Sequence, residues 1–226
     1  MGHWNFKKEV IRKLAHLISI LILFVYIFFT SVFNHRAALF ILALGLAIFI
    51  EFEYLRIEWS NKIPFLKKFF SIANKYRRES EKHKIGGEIY FLIGAIISLA
   101  VFDFRIAIAA ILMATFGDFS AALFGSKFGK TWLPHLKNKS LEGALAELGV
   151  NLLIGFFIVR TFVDGNIWWL SYTGYFGEAI WPVIIAMALT ATFVETVVQK
   201  IDDNLLIPLF AGLNGQIVLV IYTIFI

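Results

Sequence analysis

The chain contains no cysteine. That excludes disulfides, thiolate metal centres and cysteine nucleophiles together. Charge is also scarce: Asp, Glu, Lys and Arg supply 16% of 226 residues, against about 25% in an ordinary soluble domain. With 59% of positions hydrophobic, the composition excludes a water-soluble globule and a disordered chain. Histidine is sparse as well. His3, His16, His35, His83 and His135 never share the i, i+3 or i, i+4 spacing of a histidine metal site. There is no Gly-x-Ser-x-Gly, so Ser-His-Asp hydrolysis has no support.

What is present is a series of apolar runs. Seven spans are expected, at about 14–33, 37–55, 85–102, 106–124, 141–163, 179–198 and 205–225. Spans of roughly 20 residues would use about 140 positions and leave about 86 for loops. The expectation is an all-α polytopic membrane protein, one domain over 1–226. The first span follows Lys7, Lys8, Arg12 and Lys13, but it is too long for a signal-peptide core and lacks a small-residue cleavage site. Phe6 occupies the position where myristoylation needs Ser or Thr.

Lys and Arg set the orientation. With the N-terminus inside, the inner segments hold 18 of the 21, leaving Arg36, Arg105 and Arg160 outside. The positive-inside rule therefore predicts a cytoplasmic N-terminus and an external C-terminus. Trp4, Trp59 and Trp132 then fall at the inner interface, and Trp168, Trp169 and Trp181 at the outer one. The net charge of +5 reflects this topology, not nucleic-acid binding. Between spans 2 and 3, Ile63, Leu66, Phe70 and Ala73 recur at helical spacing among Lys67, Lys68, Lys75, Arg77 and Arg78. Segment 62–83 reads as a basic amphipathic helix on the inner leaflet.

Acidic residues hardly affect orientation, so their placement is separate information. Thirteen of 16 fall on the inner side. Glu51, Glu53, Glu88, Asp118, Glu142, Glu147 and Glu195 lie within the spans themselves. A carboxylate facing lipid costs about 2.5–3.5 kcal/mol on the gentler scale, so these groups must converge on a polar cavity with cations. For Glu53, an ion pair with Arg56 at i+3 is the plainer account. Asp118, Ala122 and Gly125 share a helix face; Glu195, Gln199 and Asp202 repeat that spacing, followed by Asp203. Carboxylates of this kind suit Mg²⁺, which shares its shell with substrate phosphates. A transporter would want ionisable groups near the midplane and internal repeats; the outer halves here are apolar and no repeat is found.

The loop after span 4 runs Gly125-Ser126-Lys127-Phe128-Gly129-Lys130-Thr131, then Lys139-Ser140-Leu141-Glu142-Gly143 after a short gap. It is one residue short of a P-loop and has no preceding strand. Phosphate binding remains: glycines allow backbone approach, lysines neutralise charge. Ser140 is positioned to cap span 5 and turn its helix dipole toward an anion. Arg12-Lys13-x-x-His16 lies where span 1 meets the inner surface, either as flanking charge or in a functional role.

Four blocks, RKLAH (12–16), GDFSAALFGSKFGK (117–130), KSLEGALAE (139–147) and ETVVQKIDDNLLIPL (195–209), resemble the CTP-dependent lipid-alcohol kinases, which include dolichol kinase, phytol kinase and the CTP-dependent diacylglycerol kinase. The resemblance implies transfer of the terminal phosphoryl group of CTP to a membrane alcohol. It implies functional roles for Arg12, Lys13, Asp118 and Gly125, and places Lys130, Lys139, Glu142, Asp203 and Asn204 in the nucleotide and metal site. The middle motifs also resemble phosphatidate cytidylyltransferases, but 195–204 lacks that family's Lys-Arg pair. On this reading Asp118 holds Mg²⁺, or another divalent cation, with one or more of Glu142, Glu195 and Asp203. Lys130, Lys139 and amides near Gly125, Gly129 and Ser140 would neutralise phosphates, and Asn204 joins the nucleotide site. Arg12 and Lys13 would stabilise the transferring group. If a general base takes part, Asp118 and His16 are the candidates. The acceptor's tail is expected between spans near Gly87, Gly94 and Ser98, with a polyprenyl or phytyl-type alcohol, such as dolichol, phytol or geranylgeraniol, favoured over diacylglycerol.

Because the chain has no cysteine, single-cysteine variants report topology directly. Arg36→Cys is expected to react with a membrane-impermeant maleimide in intact cells, and Lys127→Cys only after permeabilisation. The reverse pattern overturns the orientation.

Overall fold

The computed structural model describes residues 18–59, 62, 70, 84–133, 139–160, 180–198 and 201–225. Seven apolar helices make up these regions: α1 (Ile18–Val32), α2 (His35–Trp59), α3 (Gly87–Val101), α4 (Phe104–Phe128), α5 (Leu141–Gly155), α6 (Ile180–Val197) and α7 (Asp203–Phe225). The protein is an all-α polytopic membrane bundle. α2, α4, α6, α7 and α5 with its extension to Val159 are long and apolar enough to cross a bilayer. α1 and α3 have 15 residues each, about 22 Å at 1.5 Å per residue, short of a hydrocarbon core of about 30 Å. The expected basic helix at 62–83 lies outside the described residues except for positions 62 and 70, as do Arg12, Lys13 and His16.

Helix starts follow from local chemistry. Asn34 Oδ1 accepts the Ala37 amide (2.9 Å) at the start of α2, and Asp103 accepts the Arg105 amide (3.0 Å) at the start of α4. Asp202 Oδ1 accepts the Asn204 amide (3.1 Å) at α7. Each side chain satisfies a donor that the first helical turn leaves without a partner.

α4 is the central element. From Arg105 to Ile111 every residue is buried, which marks a helix enclosed on all sides. Ala107, Ala109 and Ala110 keep that stretch narrow enough for α3, α7 and α1 to approach. Halfway along, Met113–Gly117 forms a π-helical turn, with Thr115 Oγ1 donating to the Ile111 carbonyl (3.0 Å). The widened turn ends immediately before Asp118, and so sets the direction from which that side chain leaves the helix.

The outer faces are apolar. Phe24, Phe40, Ile48, Leu189, Phe193 and Phe225 are all exposed, as suits helices whose solvent is lipid. Trp59, Trp132 and Trp181, the tryptophans among the described residues, are exposed at or near helix ends, where indoles prefer to sit. Glu53 and Arg56 pair as expected, with Arg56 Nη2 2.7 Å from Glu53 Oε2. Arg56 also donates to the Lys84 carbonyl (2.8 Å). The buried pair thereby ties the end of α2 to the approach to α3.

The stripe Gly87, Gly94 and Ser98 has a different occupant from the lipid tail expected there. A Cβ at Gly94 would lie 3.0 Å from the Leu205 carbonyl oxygen, and one at Gly87 would lie 2.9 Å from Asn204 Nδ2. The missing side chains bring α7 itself onto α3 and close the groove. Gly94→Val is therefore expected to destabilise the bundle by about 1–3 kcal/mol through overpacking, read as a lowered Tm in detergent. Gly45→Val, where nothing lies within 4 Å of the added carbon, should change it little.

Candidate functional site

The polar end of the bundle is assembled by a close crossing of α4 and α5. A Cβ at Gly143 would meet the Ala121 carbonyl oxygen at 2.8 Å, and one at Gly125 would meet Ser140 Oγ at 3.0 Å. The glycines of the two middle motifs thus let the helix backbones touch. Gly129 donates its amide to the Gly125 carbonyl (3.0 Å), so that amide ends α4. Ser140 caps α5 as expected, its hydroxyl accepting the Gly143 amide (3.1 Å). The loop between them is pinned by a bridge between Trp132 and Ser140. Glu142 holds it too, with Oε1 and Oε2 3.0 and 3.3 Å from the Thr131 amide.

Pinning the loop brings Lys139 inward. Its Nζ donates to Glu195 Oε1 in a short ion pair between α5's approach and the end of α6. The Glu195 side chain is 2% exposed. Burial alone would lower the Lys139 pKa, but Glu195 above all, then Asp118 and Asp203, outweigh it and hold the ammonium above its ordinary range. One lysine thus feels α4 through Asp118, α6 through Glu195 and α7 through Asp203.

The predicted residues divide accordingly. Asp118, Lys139, Glu195 and Asp203 come together. Gly125 and Ser140 lie beside them at the crossing. Asn204 donates to Asp202 (2.8 Å) at the start of α7, under Gly87. Lys130 is exposed, and Glu142 faces the loop amide. Arg12, Lys13 and His16 lie outside the described residues.

Two residues in the same region had no named role from sequence, although Glu147 was among the acids expected to converge there. Glu147 and Asn151 are buried on α5, with exposures of 1% and 0%. Asn151 Nδ2 donates to Thr192 Oγ1 (3.2 Å) and faces Glu147 Oε1 (3.5 Å). The buried residues of α5 are Gly143, Glu147, Asn151 and Gly155, a four-residue repeat of small and polar types. That spacing was the available signal.

Among the described residues, no three His, Cys, Asp or Glu side chains already form a metal cluster. Mg²⁺ is commonly held by one or two carboxylates together with substrate phosphates, and this site offers hard oxygens of that kind. Glu195 Oε2 and Glu147 Oε2 are buried without a hydrogen-bond partner among the described residues, so the donor set fits a hard cation.

The chain is 28% identical over 219 residues to CTP-dependent diacylglycerol kinase 1 of Schizosaccharomyces pombe, covering 93% of this chain and 94% of that protein. It is 24% identical to CTP-dependent diacylglycerol kinase 1 of Saccharomyces cerevisiae over 94% of this chain and 74% of that one. A probable chloroplastic phytol kinase 3 of Glycine max is 30% identical over 68% of this chain and 48% of its own length. These relatives are lipid kinases. The chain is related to lipid kinases at large. Neither a protein-family model nor a solved structure matches it.

Lys139→Met would leave Glu195 buried without its cation. A loss of about 3–5 kcal/mol is expected, whereas Lys139→Met combined with Glu195→Met should recover most of it in thermal unfolding. A lysine whose folded pKa is raised contributes fully below the unfolded value of about 10.4, and loses that contribution as pH climbs through the folded value. Titration of Lys139 itself should therefore add no pH dependence to the stability of the unmutated protein between pH 7 and 9.

Proposed function

We propose that this protein transfers the terminal phosphoryl group of CTP to a long-chain alcohol held in the membrane, at an active site facing the cytoplasm. The observation that carries the reading is the convergence of Asp118, Lys139, Glu195 and Asp203 at one end of the bundle, on motif blocks within the span shared with CTP-named kinases. The acceptor oxygen attacks the γ-phosphorus and forms the new P–O bond. The bond from that phosphorus to the β–γ bridging oxygen breaks, CDP leaves, and the alcohol proton passes to Asp118 or His16, or to water where no general base takes part. Such transfers rest mainly on positioning and electrostatics.

Lys139 and Lys130 would neutralise the nucleotide phosphates, with Arg12 and Lys13 acting on the transferring group. Asp118, with acids of the neighbouring helices, would hold a divalent cation, which supplies charge neutralisation across the phosphates when bound. We keep a polyprenyl or phytyl-type alcohol as the acceptor. Diacylglycerol enters as a second reading because the relatives named for it are matched over 94% and 74% of their length. An apolar groove of about 760 Å³ bordered by Leu148, Leu189, Phe193 and Phe210 opens between α5, α6 and α7, and gives an acceptor's tail a place at membrane depth.

Purified protein with γ-labelled CTP and Mg²⁺, offered dolichol, phytol, geranylgeraniol, diacylglycerol and phosphatidate in parallel, decides the matter. Label is expected on an alcohol; pyrophosphate release with phosphatidate would replace the kinase with a cytidylyltransferase. Asp118→Asn should lower kcat by about 10²-fold or more while eluting as a folded, monodisperse species.

A further inference from the structure

The two glutamates at the start of α5 have separate surroundings. Glu142 has its carboxylate oxygens on the Thr131 amide and is engaged in holding the loop. Glu147 lies more than a turn deeper, with Oε2 lacking a hydrogen-bond donor among the described residues. One turn further, Asn151 directs its amide nitrogen toward Glu147 and Thr192. Its oxygen is therefore the atom that faces Gly117, where an added Cβ would lie 2.5 Å from it. That Oδ1 also has no donor among the described residues. Gly117 immediately precedes Asp118, and Asp118 is the charged neighbour that acts most strongly on Glu147, ahead of Lys139.

Two acceptor oxygens thus stand without donors among the described residues, closed from water, on the face of α5 that meets the turn preceding Asp118. Neither supplies a proton to the other in its ordinary state. Unpaired buried acceptors cost about 1–3 kcal/mol each, and more when charged. One hard cation would satisfy both, since amide and carboxylate oxygens are its usual ligands.

We infer that Glu147 Oε2 and Asn151 Oδ1, with Asp118, form the protein's half of the divalent-cation site, so that Glu147, and not Glu142, is the metal-binding carboxylate of α5. The inference rests on the phosphoryl-transfer reading for its purpose, but its test stands apart from turnover. Mn²⁺ is titrated into the purified full-length protein in detergent and followed by electron paramagnetic resonance, with and without CDP. Label transfer from CTP is measured alongside.

Glu142→Gln should bind Mn²⁺ as the wild type does. Glu147→Gln should weaken binding about tenfold or more, and Asn151→Leu should also weaken it. Asn151→Asp adds an anionic oxygen at unchanged volume and should tighten it, an effect that misfolding cannot imitate. Wild-type affinity in Glu147→Gln overturns the inference and leaves a protonated Glu147 paired with Asn151 as the account of the two oxygens. Weakening confined to Glu142→Gln, or no Mn²⁺ binding by the wild type in either condition, overturns it as well. Glu147-dependent binding without label transfer would retire the kinase reading and keep the cation site. Label transfer with Glu147-independent binding would do the opposite.

Discussion

The structure depends on accommodating carboxylates inside an apolar bundle. Glu195 shows the constraint most plainly, because its side chain is 2% exposed and its ion-pair partner, Lys139, arrives from a loop outside the helices. An ion removed from water loses several kcal/mol of solvation that only good geometry and further hydrogen bonds return. Everything that fixes the loop therefore serves the acid. Ser140 caps α5, Glu142 takes the Thr131 amide, and Gly125 and Gly143 bring the two helices close enough for the lysine to reach α6. The motif is a device for delivering one ammonium group to a buried site.

The same constraint turns α5 inside out relative to a helix of a soluble protein. Its buried residues are Gly143, Glu147, Asn151 and Gly155, while Leu141, Leu145 and Leu153 are exposed. Apolar side chains gain nothing by leaving lipid, so packing there goes to small residues and hydrogen-bonding groups. α4 solves the problem differently, by being enclosed along its first half and widened at Met113–Gly117 just before Asp118. Gly117 has a second function in that turn, since any side chain there would collide with Asn151.

Much of this was legible in the sequence, because hydropathy and caps are local properties. The apolar runs, the cap at Ser140 and the Glu53–Arg56 pair all follow from spacing alone. The π-turn was not legible: Met-Ala-Thr-Phe-Gly carries no proline, and a widened turn is set by what packs around it. Glu142 and Glu147 have the same chemistry in sequence, five residues apart; only the fold of the preceding loop tells that one carboxylate meets an amide and the other is buried. The glycines of α3 gave the close approach correctly and the occupant wrongly, because a small-residue stripe accepts a helix or a lipid chain equally well. Here α7 fills it, with the Leu205 carbonyl against Gly94.

α6 accounts for how an acidic site and an apolar groove can lie so near one another. Val194, Thr196, Val197 and Val198 border the groove, while Glu195, in the middle of that run, pairs with Lys139. A helix presents successive residues about 100° apart, so one turn serves two unlike solvents. Thr192 joins them, lining the groove while it accepts the Asn151 amide. The helix wall keeps hydrocarbon off the carboxylates along most of its length and ends at Val197. On the proposed reading, a hydroxyl on a chain lying in the groove would reach the acids by rounding the end of α6, where the lysine-bearing loop and the start of α7 also converge.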